Sequence, residues 1–325
     1  MRAIRCNTYG PPSNLVLESV PDLKPKKHEV LVQVKACGIN FPDSLIIQGL
    51  YQIKPELPFT PGSDVAGVVK AVGEGVDHVG PGDHVIGFVA YGGLAEEVIM
   101  PAKACFPKPK QMDFPVAASF MMAYGTSYHA LKDRAALKPG ETLLVLGASG
   151  GVGLAAVELG KLMGATVIAA ASTDQKLERC AAFGADHLLN YTKADLKSSL
   201  KEITSSRGVD VILDPVGGSY SEPAFRGIAW EGRFLVVGFA AGQIPKIPLN
   251  LPLLKGASIV GVFWGQFAMS QPKQNLQNTR ELMAWHAEGK LSPHIHKTFN
   301  LEDAPKAIEE LMHRKVQGKV VVQME

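Results

Sequence analysis

Between Leu144 and Gly153 the chain reads Leu-Val-Leu-Gly-Ala-Ser-Gly-Gly-Val-Gly, an apolar run that breaks into a cluster of small residues. The spacing fits the dinucleotide fingerprint, with Ala148 in place of the first Gly and then Gly150 and Gly153. Each position has a task. A small residue permits a tight turn, Gly150 lets the backbone approach a pyrophosphate, and Gly153 lets a helix pack close to a sheet. A helix opening near Gly151 would aim its unpaired N–H groups and its dipole at the anion. Ala148, Ser149, Gly150, Gly151, Val152 and Gly153 are therefore the candidate phosphate cradle. The alternative is a Gly-rich turn with no ligand. The motif follows an expected strand and opens an expected helix, which disfavours that alternative.

The end of the next strand bears on the kind of dinucleotide. An acid about 20 residues on would bind a ribose 2′-hydroxyl, but this chain has Ala171-Ser172-Thr173 there. Ser172 and Thr173 can donate hydrogen bonds to a 2′-phosphate, and Lys176 adds a positive charge one turn into the following helix. The expectation is NADPH. Asp174 is the competing feature, since it could turn toward the ribose.

The elements that must position these residues change in character along the chain. Residues 1–120 read as mostly β, with short apolar runs such as Val30–Val34, Val65–Val72 and His84–Val89 punctuated by Gly and Pro, which suggests a compact barrel-like sheet. After a helical stretch, Pro115–Lys132, strands alternate with helices. Thr142–Leu146, Thr166–Ala171, His187–Asn190, Val209–Leu213, Arg233–Gly238 and Ser258–Phe263 read as strands, a pattern of βαβ units and a parallel sheet. Asn278–Glu288 and Asp303–Arg314 read as helices and Gly318–Gln323 as a closing strand. We expect a nucleotide domain over 121–265, inserted into a β-rich domain made of 1–120 and 266–325.

Composition narrows the function classes. The 325 residues are 46% hydrophobic and 20% charged, with a formal net charge of +2 and no like-charge run, so a nucleic-acid partner is not expected. No segment approaches the ~20 apolar residues of a membrane span. The chain opens on strand-like residues with no apolar signal segment, so the cytoplasm is expected. Cys6, Cys37, Cys105 and Cys180 form no CxxC pair, consistent with a reduced compartment and no structural metal. Nine His supply one close pair, His294 and His296, in an expected surface turn, and no metal role is expected there.

Several further stretches carry a resemblance. They are Ala36–Asp43, Gly49-Leu50-Tyr51, Pro58–Gly67, Gly147–Gly153, Ala229–Ala240 and Gln317–Val321. With them, the whole chain resembles the medium-chain dehydrogenase/reductase superfamily, and within it the zinc-independent, zeta-crystallin-like NADPH:quinone oxidoreductases. Ala229–Ala240 resembles the quinone oxidoreductase-like branch in particular. The resemblance implies an α/β architecture, with a GroES-like β-rich catalytic domain and a Rossmann doubly wound parallel sheet. Alcohol dehydrogenases of this fold carry Cys where this chain has Asn40, and His-Glu where it has Ser63-Asp64. A zinc ion needs about three N, S or O ligands. Two suppliers are missing, and so is the cysteine-rich lobe of the structural zinc, so no zinc is expected.

The resemblance also implies contacts. Asn40 and Tyr51 would line the nicotinamide cleft, with Thr126 and Tyr128 near the nicotinamide and its ribose. Ser172, Lys176 and Tyr191 would hold the 2′-phosphate, and Arg314 would make a further phosphate contact. Phe239 and Ala240 would lie in a loop near the nicotinamide, while Tyr128 and Phe239 could instead be plain core aromatics. Apart from these implied contacts, Phe41, Phe263, Trp264 and Phe267 are candidate walls, with Tyr51, for a flat aromatic acceptor, or equally domain or subunit packing. Ser258–Phe263 resembles the strand through which relatives pair into homodimers.

Without a metal, a quinone or enone is the fitting hydride acceptor, because it spreads the arriving charge onto oxygen. Tyr51 is the candidate to orient the acceptor or donate a proton, and Asn40 the candidate hydrogen-bond donor to the oxyanion. Asp43 reads as structural. Two rivals stay open: an enoyl-thioester or 2-enal reductase, and an NADPH-binding protein with an RNA-binding or structural role.

Overall fold

The computed structural model of the chain describes residues 1–324. In chain order the strands are β1 (Arg2–Cys6), β2 (Leu15–Ser19), β3 (Glu29–Ile39), β4 (Asp64–Val72), β5 (His84–Phe88), β6 (Glu97–Pro101), β7 (Cys105–Pro107), β8 (Thr142–Leu146), β9 (Thr166–Ala171), β10 (His187–Asn190), β11 (Val209–Asp214), β12 (Ile228–Val236), β13 (Ser258–Gly261), β14 (Ile295–Asn300) and β15 (Lys319–Gln323). They belong to two compact units, Met1–Met122 with the tail from Pro293, and Ala123–Ser292.

The first unit is built on a seven-stranded sheet of order β14-β15-β3-β4-β5-β7, with β6 also paired to β3. All its pairings are antiparallel except β14 with β15. The long strand β3 is central and nearly continuously buried, flanked by β15, β4 and β6. Its Val30, Val32, Val34, Cys37 and Ile39 join Val65, Val85, Met100, Val320 and Val322 in one core. Register matters for the site. Val320 pairs with Ile39 across β15 and β3, and Gly38 pairs with Asp64 across β3 and β4. Lys319, Asn40 and Asp64 therefore come together at the ends of three neighbouring strands.

The second unit is a six-stranded parallel sheet of order β10-β9-β8-β11-β12-β13. Every residue of β8 and nearly every residue of β9 is buried, as parallel strands covered on both faces must be. The strand order reverses between β8 and β11, and in open α/β sheets the crevice at such a point, outside the carboxyl ends of the strands, is where ligands bind. The helix after β8, Gly151–Leu162, lies close on the sheet. A Cβ at Gly160 would meet Leu143 Cδ2 at 2.7 Å.

The second domain boundary differs from the expected one. The second unit runs to Ser292 rather than ending at 265. Helix Pro272–Ala287 is tied into it by polar contacts: Tyr128 Oη donates to Glu281 at 2.6 Å, Asn278 Nδ2 to Asp133 at 2.8 Å, and Trp264 Nε1 to Asn275 at 3.1 Å. The Ser292 N–H then donates to Glu158 at 2.8 Å. Apolar periodicity shows that this segment is a helix but not which body it joins, because hydrogen bonds decide that here. Among the described residues no helix is long and apolar enough to cross a membrane.

Candidate active site

The loop between β8 and helix Gly151–Leu162 has the local geometry of an anion cradle. Gly147 turns the chain at φ +59, and a Cβ there would meet Val216 Cγ2 at 2.6 Å. The tight turn thus falls on Gly147 and not on Ala148, where the sequence pattern puts it. Ala148 is buried, with its N–H donating to Ala170 O at 3.0 Å. Gly153 is the close-packing position, since a Cβ there would lie 2.3 Å from Gly147 O and 2.7 Å from Ala148 Cα. At Gly150 a Cβ would find only Gly147 O, at 3.5 Å, so the space in front of it is open for a ligand. No side chain caps the helix that follows, which leaves its first N–H groups to an anion. These features fit a dinucleotide pyrophosphate.

The loop after β11 borders the same crevice, and sequence reasoning did not single it out. Asp214 is buried and organises it. Its Oδ1 accepts from the N–H groups of Val216 and Gly217, both at 2.8 Å, and its Oδ2 accepts from Ser221 Oγ at 2.6 Å. Burial nevertheless pushes its pKa upward. The Asp-Pro-Val-Gly-Gly run was the available signal. Phe239 and Ala240 neighbour this loop, with Ala240 N–H donating to Pro215 O at 3.1 Å.

At the end of β9, Lys176 Nζ donates to Ser172 Oγ at 3.3 Å, and Thr173 caps the helix Asp174–Ala182 by accepting from Lys176 N–H. Tyr191 packs on Tyr220 with ring centroids 4.3 Å apart. Asp174 does not turn toward this group. Its carboxylate accepts from Asn190 Nδ2 at 2.6 Å and pairs with Lys193 at 2.5 Å. Those partners hold its pKa below the usual carboxylate range.

Other expected site residues have neighbours of their own. Trp264 and Phe267 are buried inside the second unit, the first against Gly125 and the second stacked on His129 at 3.9 Å, which is the packing alternative open to both. Phe263 is half-exposed. Tyr128 gives its hydroxyl to Glu281 and sits edge-on to Trp285, and burial with that carboxylate raises its pKa well above the ordinary phenol. Its hydroxyl is thus held by the helix Pro272–Ala287. Thr126 is buried. Arg314 is exposed and occupies a left-handed position, φ +57, just past helix Ala304–Met312.

The second constellation lies in the first unit. Asn40 precedes helix Phe41–Ile46, and its backbone N–H donates to Asp43 Oδ2 at 2.7 Å. Its side-chain Oδ1 accepts a short hydrogen bond from Lys319 Nζ, which also donates to Ile39 O at 3.1 Å and lies 3.7 Å from Asp64 Oδ2. Asn40 Nδ2 faces Asp64 Oδ2 at 3.2 Å, Gly38 O at 3.3 Å and Ser63 Oγ at 3.5 Å. These neighbours thus hold the Asn40 side chain in place. Burial raises the Asp43 carboxyl to about 7 and the Asp64 carboxyl to about 6, while burial lowers Lys319. Phe41 is half-buried, and so is Tyr51, whose phenol is raised by burial and then by Asp43. Lys319 was legible only as part of a motif. A lysine opening a Val-Val-Val strand is the signal that could have exposed it.

The residues at the expected metal positions do not fit zinc. They offer an amide oxygen already bonded to an ammonium, a hydroxyl, and one carboxylate beside that same ammonium. A cation that close opposes a second one. Among the described residues no three of His, Cys, Asp and Glu are grouped to hold a metal ion.

Comparison with known proteins agrees with this architecture. Residues 26–110 match the family described as alcohol dehydrogenase GroES-like domain, and residues 151–285 the family described as zinc-binding dehydrogenase. The chain is 39% identical over 324 residues to quinone oxidoreductase-like protein 2 of Bos taurus, covering 99% of this chain and 92% of that protein. Among solved structures it is similar to Escherichia coli quinone oxidoreductase complexed with NADPH (TM-score 0.93, 29% identity, all of both chains). It is also similar to the CurK enoyl reductase (TM-score 0.90, 30% identity, 100% of this chain and 99% of that one). The chain belongs to the medium-chain dehydrogenase/reductase superfamily of oxidoreductases. Within it, the curated relatives that it matches over nearly its whole length include quinone oxidoreductases and quinone oxidoreductase-like proteins.

Proposed function

We propose that the protein is a zinc-independent reductase that uses NADPH to reduce a quinone or another conjugated carbonyl compound. One observation carries the cofactor assignment: at the end of β9, Ser172 and Lys176 stand together while the nearby acid, Asp174, is tied to Lys193 and Asn190. A free carboxylate there would repel a 2′-phosphate, whereas a hydroxyl and an ammonium attract one. The solved Escherichia coli relative that carries NADPH supports the same reading. The ammonium beside Asn40 and Asp64 supports zinc independence.

NADPH, when bound, supplies the hydride. The loop Gly147–Gly153 and the helix N-terminus after it hold the pyrophosphate, and Ser172 with Lys176 hold the 2′-phosphate. Tyr51 is a phenol and carries its proton at neutral pH; burial and then the Asp43 carboxyl raise its pKa further, which suits it to protonate only a strongly basic enolate of the reduced acceptor. The likeness to the CurK enoyl reductase favours a second reading, reduction of the C=C bond of an enoyl thioester.

The test is oxidation of NADPH, and separately of NADH, with an ortho-quinone, a linear enone and an enoyl-CoA, with and without a chelator. NADPH-dependent quinone turnover that survives chelation is expected. Turnover of the enoyl-CoA alone would transfer the assignment to the second reading, and a preference for NADH would overturn the cofactor. Lys176→Ala should weaken NADPH binding roughly tenfold, about 1.4 kcal/mol, and leave NADH unchanged. An equal loss for both cofactors would remove Lys176 from the 2′-phosphate site.

We also propose a homodimer formed through the edge strand β13. Its Ile259 is exposed, and Leu253, Leu254 and Trp230 are more than two-thirds exposed nearby. An open apolar edge of this kind is covered by pairing with another strand. Light scattering should give twice the chain mass for the wild type and the chain mass for Ile259→Lys, which would set two ammonium groups in one seam. A wild type at the chain mass would refute the dimer.

A further inference from the structure

The buried ammonium of Lys319 has no role in the chemistry derived so far. It lies at the ends of β15, β3 and β4, fully enclosed with Asp64, and is bonded to the side-chain oxygen of Asn40. Enclosing such a charge is costly, and the cost is offset only by well-placed partners. A hydrophobic residue here would continue the apolar run of β15, so packing alone does not call for lysine.

The hydrogen bonds fix the Asn40 amide in one orientation. Reversal would point its NH2 group at the ammonium and its oxygen at Asp64, leaving both ions against like partners. The Nδ2 group has three acceptors for its two protons, Asp64 Oδ2 at 3.2 Å, Gly38 O at 3.3 Å and Ser63 Oγ at 3.5 Å, all at or beyond the long end of the hydrogen-bond range. One proton can therefore turn to a better acceptor at little loss. Asn40 keeps 7% of its surface exposed. An ammonium on the amide oxygen also withdraws charge from the amide nitrogen, because hydrogen bonds in series polarise one another, more so where water is excluded.

We propose that Lys319 is a positioning residue for the reduction: it holds and polarises the Asn40 amide so that one Nδ2–H can serve the acceptor oxygen as negative charge develops there. The inference rests on the function proposed above and names a second participant in the same site. The chemistry is a hydrogen bond from Asn40 and not a proton transfer, so Lys319 keeps its protons throughout. The acceptor class that benefits most is the one needing most help, the enone, ahead of an electron-poor quinone.

The experiment compares wild type, Lys319→Arg and the charge-balanced double variant Lys319→Gln/Asp64→Asn. Each is measured for NADPH affinity, kcat and KM with an ortho-quinone and with an enone. Removal of an oxyanion donor costs about 10²–10³ in kcat, and loss of only its polarising partner should cost less, roughly 10- to 30-fold with the enone. The loss should be smaller with the quinone, with KM and NADPH affinity within about twofold of wild type, and Lys319→Arg should recover part of the rate. A folded double variant with wild-type kcat on both acceptors overturns the proposal, as does an equal loss on both that tracks weakened NADPH binding. Should the double variant not fold, the side-chain amide of Asn40 is read in 15N-labelled wild type, assigned through Asn40→Asp. Downfield, slowly exchanging protons support the polarised amide, and ordinary, fast-exchanging ones refute it. A wild type that binds NADPH but reduces neither acceptor refutes the proposed function instead, and the amide spectrum then decides the role of Lys319 separately.

Discussion

Gly153→Val should yield a protein that no longer binds a dinucleotide and unfolds at a markedly lower temperature, whereas Gly150→Ala should fold as the wild type does and lose affinity only. The two glycines stand three residues apart in one loop but face different things. A Cβ at Gly153 would meet the backbone, Gly147 O at 2.3 Å and Ala148 Cα and C at 2.7 and 2.8 Å. None of these can swing aside as a flexible side chain could. The helix must lift off the sheet or the loop must open, and overpacking of this kind costs roughly 1–3 kcal/mol or more. Either movement misaims the N–H groups at the helix start. At Gly150 a Cβ has ordinary contact with Gly147 O at 3.5 Å and nothing else within 4 Å. Its cost to the fold is close to zero, and it protrudes where the pyrophosphate would lie. Thermal unfolding and a fluorescence titration of NADPH separate the two effects. A Gly150→Ala variant with wild-type affinity would show that the open space before the loop is not the pyrophosphate cradle.

Stability should fall as pH rises from about 5 to about 8, by on the order of 3 kcal/mol, and Asp43→Asn should remove most of that slope. The cluster holds two carboxyl groups and one ammonium out of water. Burial raises Asp43 to about 7 and Asp64 to about 6, each above its ordinary value of 3.8. An acid whose pKa is higher in the folded chain binds its proton more tightly there. Its stabilising contribution is complete below the unfolded value and is lost as pH rises through the folded one. Lys319 acts in the opposite sense. Burial lowers it below 10.5, so its contribution is lost as pH falls through its folded value. In the window between 5 and 8 the two acids dominate, and Asp43 titrates last. Urea unfolding at a series of pH values would read the slope directly. A flat profile for the wild type would mean that both carboxylates ionise at no cost, and an unchanged slope in Asp43→Asn would mean that Asp43 is not its source. Asp43 also accepts the Asn40 N–H at 2.7 Å. The asparagine variant keeps an oxygen for that bond but gives up the one that accepts from the Gly62 N–H, so the loss of slope with pH, and not the loss of stability itself, reads the charge.

The fold class was legible because it follows from local patterns that the chain cannot hide. The alternation of buried strands with helices between Thr142 and Gly261 leaves a parallel sheet as the one way to satisfy both faces. The fingerprint from Gly147 to Gly153 required a loop at the carboxyl end of its first strand. What each small residue does there was less legible. The turn falls on Gly147 because that residue, and not Ala148, takes the positive φ, and a sequence pattern with two adjacent small residues does not distinguish them. Aromatic residues left two alternatives open, a pocket or cofactor contact and plain packing. Inside the second unit Trp264, Phe267 and Tyr128 lie against a glycine, a histidine and a glutamate respectively. An aromatic ring reads the same in a sequence whether it faces a ligand or a neighbour.

The amino-acid sequence by itself determined the two kinds of sheet, the dinucleotide loop and the absence of the usual zinc ligands at positions 40, 63 and 64, because all of these depend on residue type and short-range spacing. Only the tertiary structure decided that helix Pro272–Ala287 belongs to the second unit, that Asp174 is taken up by Lys193 and Asn190, and that Lys319 lies against Asn40, 279 residues away along the chain. Those outcomes depend on strand register and on hydrogen bonds between distant segments. Ile39 opposite Val320 and Gly38 opposite Asp64 are pairings that no local pattern encodes.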